Sequence, residues 1–218
     1  GIHVASYGKD LKGTTLLDLI KGVHETEGIE RIRFSSVEPS IITDEFVSEL
    51  AKMPKVCDHF HLSLQSGCDD TLKRMNRHYS ADRYYEKCQL IRKYYEQAAI
   101  TTDVIVGFPG ETEEEFKTTS EFLAKVAFSE MHIFKYSPRK GTRAAVMPNP
   151  VDEKVKTIRS NRLLALAEKM TADYRLACQD KVLDVLIEED IMVDGNIDGC
   201  ELAEQIAKDL ENEGHIVL

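Results

Sequence analysis

The chain has 218 residues, enough to bury one good core and carry an appendage. Its 42% hydrophobic content is ordinary for a globular protein, and no stretch is long or apolar enough to span a membrane as a helix. A net charge of −10 argues against nucleic-acid binding by the bulk surface, because phosphate contacts rely on Lys and Arg.

The elements alternate along the chain. GIHVASYG at residues 1–8 reads as a short strand and turn. Thr15 can cap a helix to about residue 27, with Leu16, Leu19, Ile20 and Val23 on one face and Gly28 closing it. RIRFSSV (31–37) reads as a strand, and Thr43 caps a helix carrying Phe46, Val47 and Leu50. HFHLSL (59–64) is a strand whose alternation places Phe60, Leu62 and Leu64 on one side. A short helix at 69–76 follows, then one capped by Ser80 and running to about Gln97. Residues 98–107 form a β-branched strand, 113–126 a helix and 130–136 a further strand. After Pro148 and Pro150 a single long helix covers 152–178, with Val155, Ile158, Leu163, Leu166, Met170 and Tyr174 as its apolar stripe. VLDVLIEE (182–189) is a strand, and the acidic remainder reads as a turn, a helix over 200–212 and a short end strand. Five successive strands separated by helices predict a curved parallel sheet, part of a barrel or an open one.

Candidate chemistry is concentrated at strand ends. TTDVIVGFPGETEEEF (101–116) runs from an apolar strand through a Gly-Phe-Pro-Gly turn into a helix with Thr112 and Glu115 as a capping box. Such a step brings ligand groups to the carboxyl end of the strand. Gly107 and Gly110 let the backbone approach a ligand, and Asp103 is a carboxylate entering an apolar run, where an unpaired charge would be costly. The five cysteines are widely spaced with no Cys-x-x-Cys, which indicates neither a disulfide framework nor a zinc site and fits reduced thiols in a cytoplasmic protein. His59 and His61 alternate on the strand face opposite Phe60; as a pair they lack a third ligand, and solvent-facing positions are the simpler reading. No Gly-x-Ser-x-Gly elbow, P-loop or Gly-x-Gly-x-x-Gly pattern is present.

Four ordered segments carry a family resemblance: SSVEP around 36–39, HLSLQSGCDDTLKRMNRHY (61–79), the 101–116 stretch, and YSPRKGTRAA (136–145). Together with GIHVASYGKD they resemble the radical S-adenosylmethionine (SAM) methylthiotransferases, most of all the branch that methylthiolates threonylcarbamoyladenosine in tRNA. The resemblance covers about residues 1–188. It implies an α/β fold: a partial (β/α) barrel of radical SAM type lacking its first strand, followed by a long helix and a short divergent C-terminal segment. The implied domains are 1–150 for the barrel, 151–180 for the helix packing on it, and 181–218 for the start of a TRAM-like strand and a divergent acidic tail. The chain opens without methionine at what corresponds to the family's second strand, so it reads as a fragment.

The same resemblance implies site residues. Glu38 stands where a Glu takes the SAM ammonium; its alternative is a turn residue before Pro39. Gln65 stands where a strand-end Gln bonds the SAM ribose, or else it satisfies loop backbone. Arg77 is placed like an Arg gripping the SAM carboxylate, or is a helix-end surface Arg. Asp103 matches a ribose-binding acid, and Gly107 and Tyr136 would flank the adenine, Tyr136 otherwise being a core aromatic. The family's [4Fe–4S] clusters sit on cysteines that this chain does not carry: it has no Cys-x3-Cys-x2-Cys loop, and Cys57, Cys68 and Cys88 are too far apart to replace it.

The expected function is therefore part of a radical SAM transferase that adds a methylthio group at C2 of N6-threonylcarbamoyladenosine in tRNA, with the isolated chain inactive. Alternatives are another methylthiotransferase branch, acting on isopentenyladenosine tRNA or a ribosomal protein, or a non-catalytic barrel-derived binding module. Partners follow: tRNA through the complete enzyme, no membrane, and self-association through the exposed edge strand. The basic residues Lys135, Arg139, Lys140 and Arg143 around one loop are a local patch or a solvated loop.

Overall fold

The computed structural model describes residues 4–183. The chain divides into two compact units, Gly1–Gln179 and Asp180–Leu218, and of the second only residues 180–183 are described. The expected strand at 182–189 lies almost wholly outside the described residues; the 200–212 helix and the end strand lie wholly outside them.

Local chemistry starts each helix. Thr15 begins α1 (Leu16–Glu25): its hydroxyl accepts from the Asp18 N–H while the Asp18 carboxylate accepts from the Thr15 N–H, a closed capping box. Thr43 caps α2 (Asp44–Leu50) and Ser80 caps α4 (Ala81–Tyr94), each accepting a backbone N–H three residues on. α3 (Asp69–Arg74) lies between them without a side-chain cap. Thr112 and Glu115 close a second capping box on α5 (Glu113–Val126), and Asp152 caps α6 (Glu153–Ala177). α4 ends three residues earlier than the sequence suggests. Tyr95 turns to an extended conformation and packs its ring edge-on against Phe60, with centroids 5.1 Å apart.

Three strands form a parallel sheet in the order β1 (His59–His61), β2 (Ala99–Val106), β3 (Glu130–Lys135). His61 pairs with Thr101 across β1 and β2, and Asp103 with His132 across β2 and β3. The 31–37 segment lies alongside β1 but makes only isolated parallel bridges, Ile32 to Val56 and Val37 to Leu62. The expected opening strand is not formed over its described part. Val4–Ser6 is a 3-10 turn, because the N–H groups of Tyr7, Lys9 and Leu11 turn onto the nearby carbonyls of Val4, Ser6 and Gly8. The five expected strands thus resolve into three strands and one bridged segment.

β1 is also shorter than expected, and the reason is a bulge. From the His61–Thr101 pair to the Gln65–Val104 bridge, the first chain advances four residues (61 to 65) and the second three (101 to 104). The extra residue is accommodated by Thr102, whose buried hydroxyl accepts from the Leu64 N–H and donates to the Leu62 carbonyl. Tyr84 of α4 donates to the same carbonyl at 2.9 Å.

The two faces of the sheet differ. Phe60, Leu62, Leu64, Ile100, Val104, Val106 and Met131 are buried with Tyr84 and Ile91 of α4, Phe116 and Leu123 of α5, and Leu163 and Met170 of α6. The opposite face carries His59, His61, Asp103, Glu130, His132 and Phe134 and stays partly exposed. Helices cover one side, and the polar side lines an open groove.

Candidate functional site

A cleft of about 530 Å³ opens toward the carboxyl ends of β2 and β3, lined among others by Gln65, Asp103, Ile105, Tyr136 and Arg139. Its size is that of a small-molecule site. Three of the residues singled out from the sequence meet here: Gln65, Asp103 and Tyr136. The bulge delivers Gln65, whose N–H bonds the Asp103 carbonyl and whose carbonyl accepts from Ile105, both at 2.9 Å. Gln65 adopts φ 74°, a left-handed conformation that disfavours any residue with a β-carbon. Strain of that kind concentrates at ligand sites. Tyr136 packs edge-on against Phe108 with centroids 5.1 Å apart, and its buried hydroxyl has no hydrogen-bond partner among the described residues.

Glu38 and Arg77 meet in a second cleft of about 290 Å³, together with Tyr79 and Arg83. Tyr79 ties this cleft to the first, since its hydroxyl donates to the carbonyls of Ser63 and Leu64, next to Gln65. Burial pushes the Tyr79 phenol up to about 12.

Gly107 is engaged differently. Its φ is +73°, its N–H donates to the Glu111 carboxylate at 2.7 Å, and a β-carbon there would stand 2.3 Å from Cγ of Lys156. The stem of Lys156 therefore lies on Gly107, while its ammonium donates to the Tyr136 carbonyl at 3.0 Å and pairs with Glu153. Arg159, one turn further along α6, donates to the Glu111 carbonyl and carboxylate at 3.1 and 2.7 Å, in a pair buried on both sides. Burial raises the Glu111 carboxyl above its ordinary value; the Gly107 N–H and Arg159 pull against that rise. The start of α6 thus clamps the Gly-Phe-Pro-Gly turn from above. Sequence reasoning found the turn and missed the clamp: Lys156 and Arg159 carry no local signal of burial, and their partners lie up to 48 residues away. A second buttress is Arg74 of α3, bidentate to Glu115 at 2.9 and 2.6 Å.

His61 and His132 were not paired by the sequence reading either. With Asp103 they form a group whose ligand atoms all lie within 4.8 Å of one another. It is the single such His, Cys, Asp or Glu cluster among the described residues, so no three thiolates converge there. Cys68 and Cys88 are buried, Cys57 and Cys178 half-buried. The described residues do not fit an iron–sulfur cluster, which needs several thiolates in one place.

Comparison with known proteins gives this geometry its class. The family model described as the Radical SAM superfamily matches residues 4–123. The chain belongs to the radical SAM superfamily. It is 43% identical over 190 residues to the threonylcarbamoyladenosine tRNA methylthiotransferase MtaB of Bacillus subtilis, covering 87% of this chain and 42% of the relative. It is also 43% identical over 189 residues to the tRNA-2-methylthio-N(6)-dimethylallyladenosine synthase of Caldicellulosiruptor saccharolyticus, covering 86% of this chain and 40% of that one. The chain spans about two fifths of the length of these curated relatives. Among solved structures, coproporphyrinogen III oxidase (HemN) from Escherichia coli superposes with a TM-score of 0.54 at 16% identity, over 64% of this chain and 32% of that one. That likeness is one of fold, a parallel three-stranded sheet with helices packed on it.

Proposed function

We propose that this chain is the SAM-binding part of a radical SAM enzyme that methylthiolates a modified adenosine in tRNA. The observation that carries the reading is the cleft shared by Gln65, Asp103 and Tyr136, in a chain 43% identical to two tRNA methylthiotransferases. In this reading Gln65 and Asp103 hold the ribose hydroxyls, a diol matched by an amide and a carboxylate. Tyr136 walls the adenine, and Gly107 fixes the turn beside it. Glu38 and Arg77, in the adjoining cleft, take the ammonium and carboxylate of the amino-acid end, each as an opposite-charge pair. The radical chemistry would be supplied by SAM and a cluster held outside the described residues; this chain's residues would bind and orient SAM. The cluster ligands belong to parts of the enzyme other than the described residues. Lys135 and Arg139 at the cleft mouth suit the phosphates of an RNA substrate.

The finer substrate in this reading is N6-threonylcarbamoyladenosine, supported by the four sequence segments quoted above and by the MtaB relative. The equal identity to the dimethylallyladenosine synthase favours that nucleoside as the second reading. The test is nucleoside mass spectrometry of tRNA from a host lacking both activities and supplied with the full-length enzyme. Methylthio-threonylcarbamoyladenosine alone is the expected product. Methylthio-dimethylallyladenosine instead would move the assignment to the other branch, and neither product would overturn the methylthiotransferase reading.

A further inference from the structure

We infer that His61, Asp103 and His132 form a binding site for a divalent transition metal of the zinc class. β1, β2 and β3 each contribute one ligand on the same sheet face: Asp103 is level with His132, and His61 is level with Thr101, one same-face step before Asp103. The His61 Nε2 to Asp103 Oδ2 distance is 3.4 Å, and all three ligand atoms lie within 4.8 Å of one another. Two ligands about 2.1 Å from a tetrahedral ion stand about 3.4 Å apart, so the first pair already has the spacing a metal requires. The same distance serves a His–carboxylate ion pair, and it is His132 as a third ligand that sets the group apart from one. The imidazole rings of His61 and His132 lie nearly parallel with centroids 6.0 Å apart, and His132 is exposed, free to close the remaining distance by a small swing.

The outer contacts suit the same role. The other ring nitrogen of His61, Nδ1, is 2.9 Å from the hydroxyl of Thr101, a residue 4% exposed. A ligating histidine characteristically has its second nitrogen held in this way, which fixes the ring and leaves Nε2 for the metal. Glu130 lines the groove beside His61 and His132 and adds negative charge; Arg33 in the same groove is engaged with His59 at 3.3 Å. Two imidazoles and one carboxylate select zinc, cobalt or iron(II) over magnesium or calcium, which prefer all-oxygen shells. Three protein ligands leave a position open to water or a ligand. The site shares Asp103 with the cleft, so metal binding is measured with no SAM present and stands or falls apart from the SAM reading.

The test is a cobalt(II) titration of the 218-residue chain followed by visible absorption and calorimetry. One equivalent with a d–d band is expected in the wild type and in His59→Ala, a neighbour on β1 outside the cluster. His61→Ala and His132→Ala should each weaken binding by at least about tenfold, and Thr101→Val by about tenfold, without changing the far-ultraviolet circular dichroism. Should His61→Ala fail to fold, the exposed His132→Ala variant decides. The proposal is overturned by no stoichiometric complex, by unchanged affinity in His132→Ala, or by a thiolate-to-cobalt charge-transfer band, which would place the ion on cysteines.

Discussion

Gln65 is the most strained residue of the cleft. It holds φ 74° although it has a β-carbon, and it does so at the end of a bulge facing the cleft. Left-handed backbone costs about 1–2 kcal/mol for such a residue, and glycine is free of that cost. Gln65→Gly should therefore be more stable than Gln65→Ala by about 1 kcal/mol in urea unfolding, while both lose the amide that the cleft offers a ligand. Equal stability of the two would show that the strain is absent. Cys88 makes a second case. It is 0% exposed, and burial pushes its thiol up to about 12, so it is neutral and unreactive at pH 8. Among the described cysteines, brief alkylation and peptide mass spectrometry should label half-buried Cys57 and Cys178 and spare Cys88 until denaturant is added. Early labelling of Cys88 would contradict the packing of α4 on β1 and β2.

At the scale of elements, the clamp of α6 on the β2–α5 turn decides how rigid the cleft is. Gly107→Ala meets two obstacles: left-handed backbone and the Lys156 stem. In a Lys156→Ala background only the backbone term of about 1–2 kcal/mol should remain, so the double variant is less destabilised than the sum of the singles. Additive losses would mean that Lys156 does not lie on Gly107. The Arg74–Glu115 pair gives a pH signature. Its hydrogen bonds to Arg74 hold the Glu115 carboxyl below its ordinary value. A depressed carboxyl contributes stability that is present above the unfolded value near about 4.3 and is lost as pH falls through the folded one. Arg74→Ala should cost about 1.5–3 kcal/mol at pH 7, and the gap from wild type should close below about pH 4. A gap independent of pH would assign the loss to packing instead.

These elements also mark what the sequence could reveal. Helix starts at Thr15, Thr43, Ser80 and Thr112 were legible because a cap is a local event, settled within four residues. The α/β order was legible for the same reason. The bulge was not, because it depends on the register of chains some forty residues apart and on one buried hydroxyl, Thr102. Nor was the inner face of α6. Ile158, placed on the expected apolar stripe, is 59% exposed, while Lys156 and Arg159 are buried because Tyr136, Glu111 and Gly107 wait for them. The six candidate residues were read from motif resemblance and fall into two clefts and one turn. Of the His61–Asp103–His132 group, which only register assembles, the sequence pairs His61 with His59 instead and offers Asp103 only as a ribose ligand.

On the scale of the whole molecule, the chain is a radical SAM barrel segment spanning about two fifths of its relatives, with clefts at the strand ends and without a converging set of thiolates among its described residues. The proposed SAM cradle lies within this chain alone. Calorimetric titration of the 218-residue chain with SAM, alongside Gln65→Ala and Asp103→Ala, tests it most directly. Weak, saturable binding by the wild type is expected, abolished by each substitution while the circular dichroism is unchanged. A folded chain that binds no SAM, or binds it equally well without Gln65 and Asp103, would contradict it.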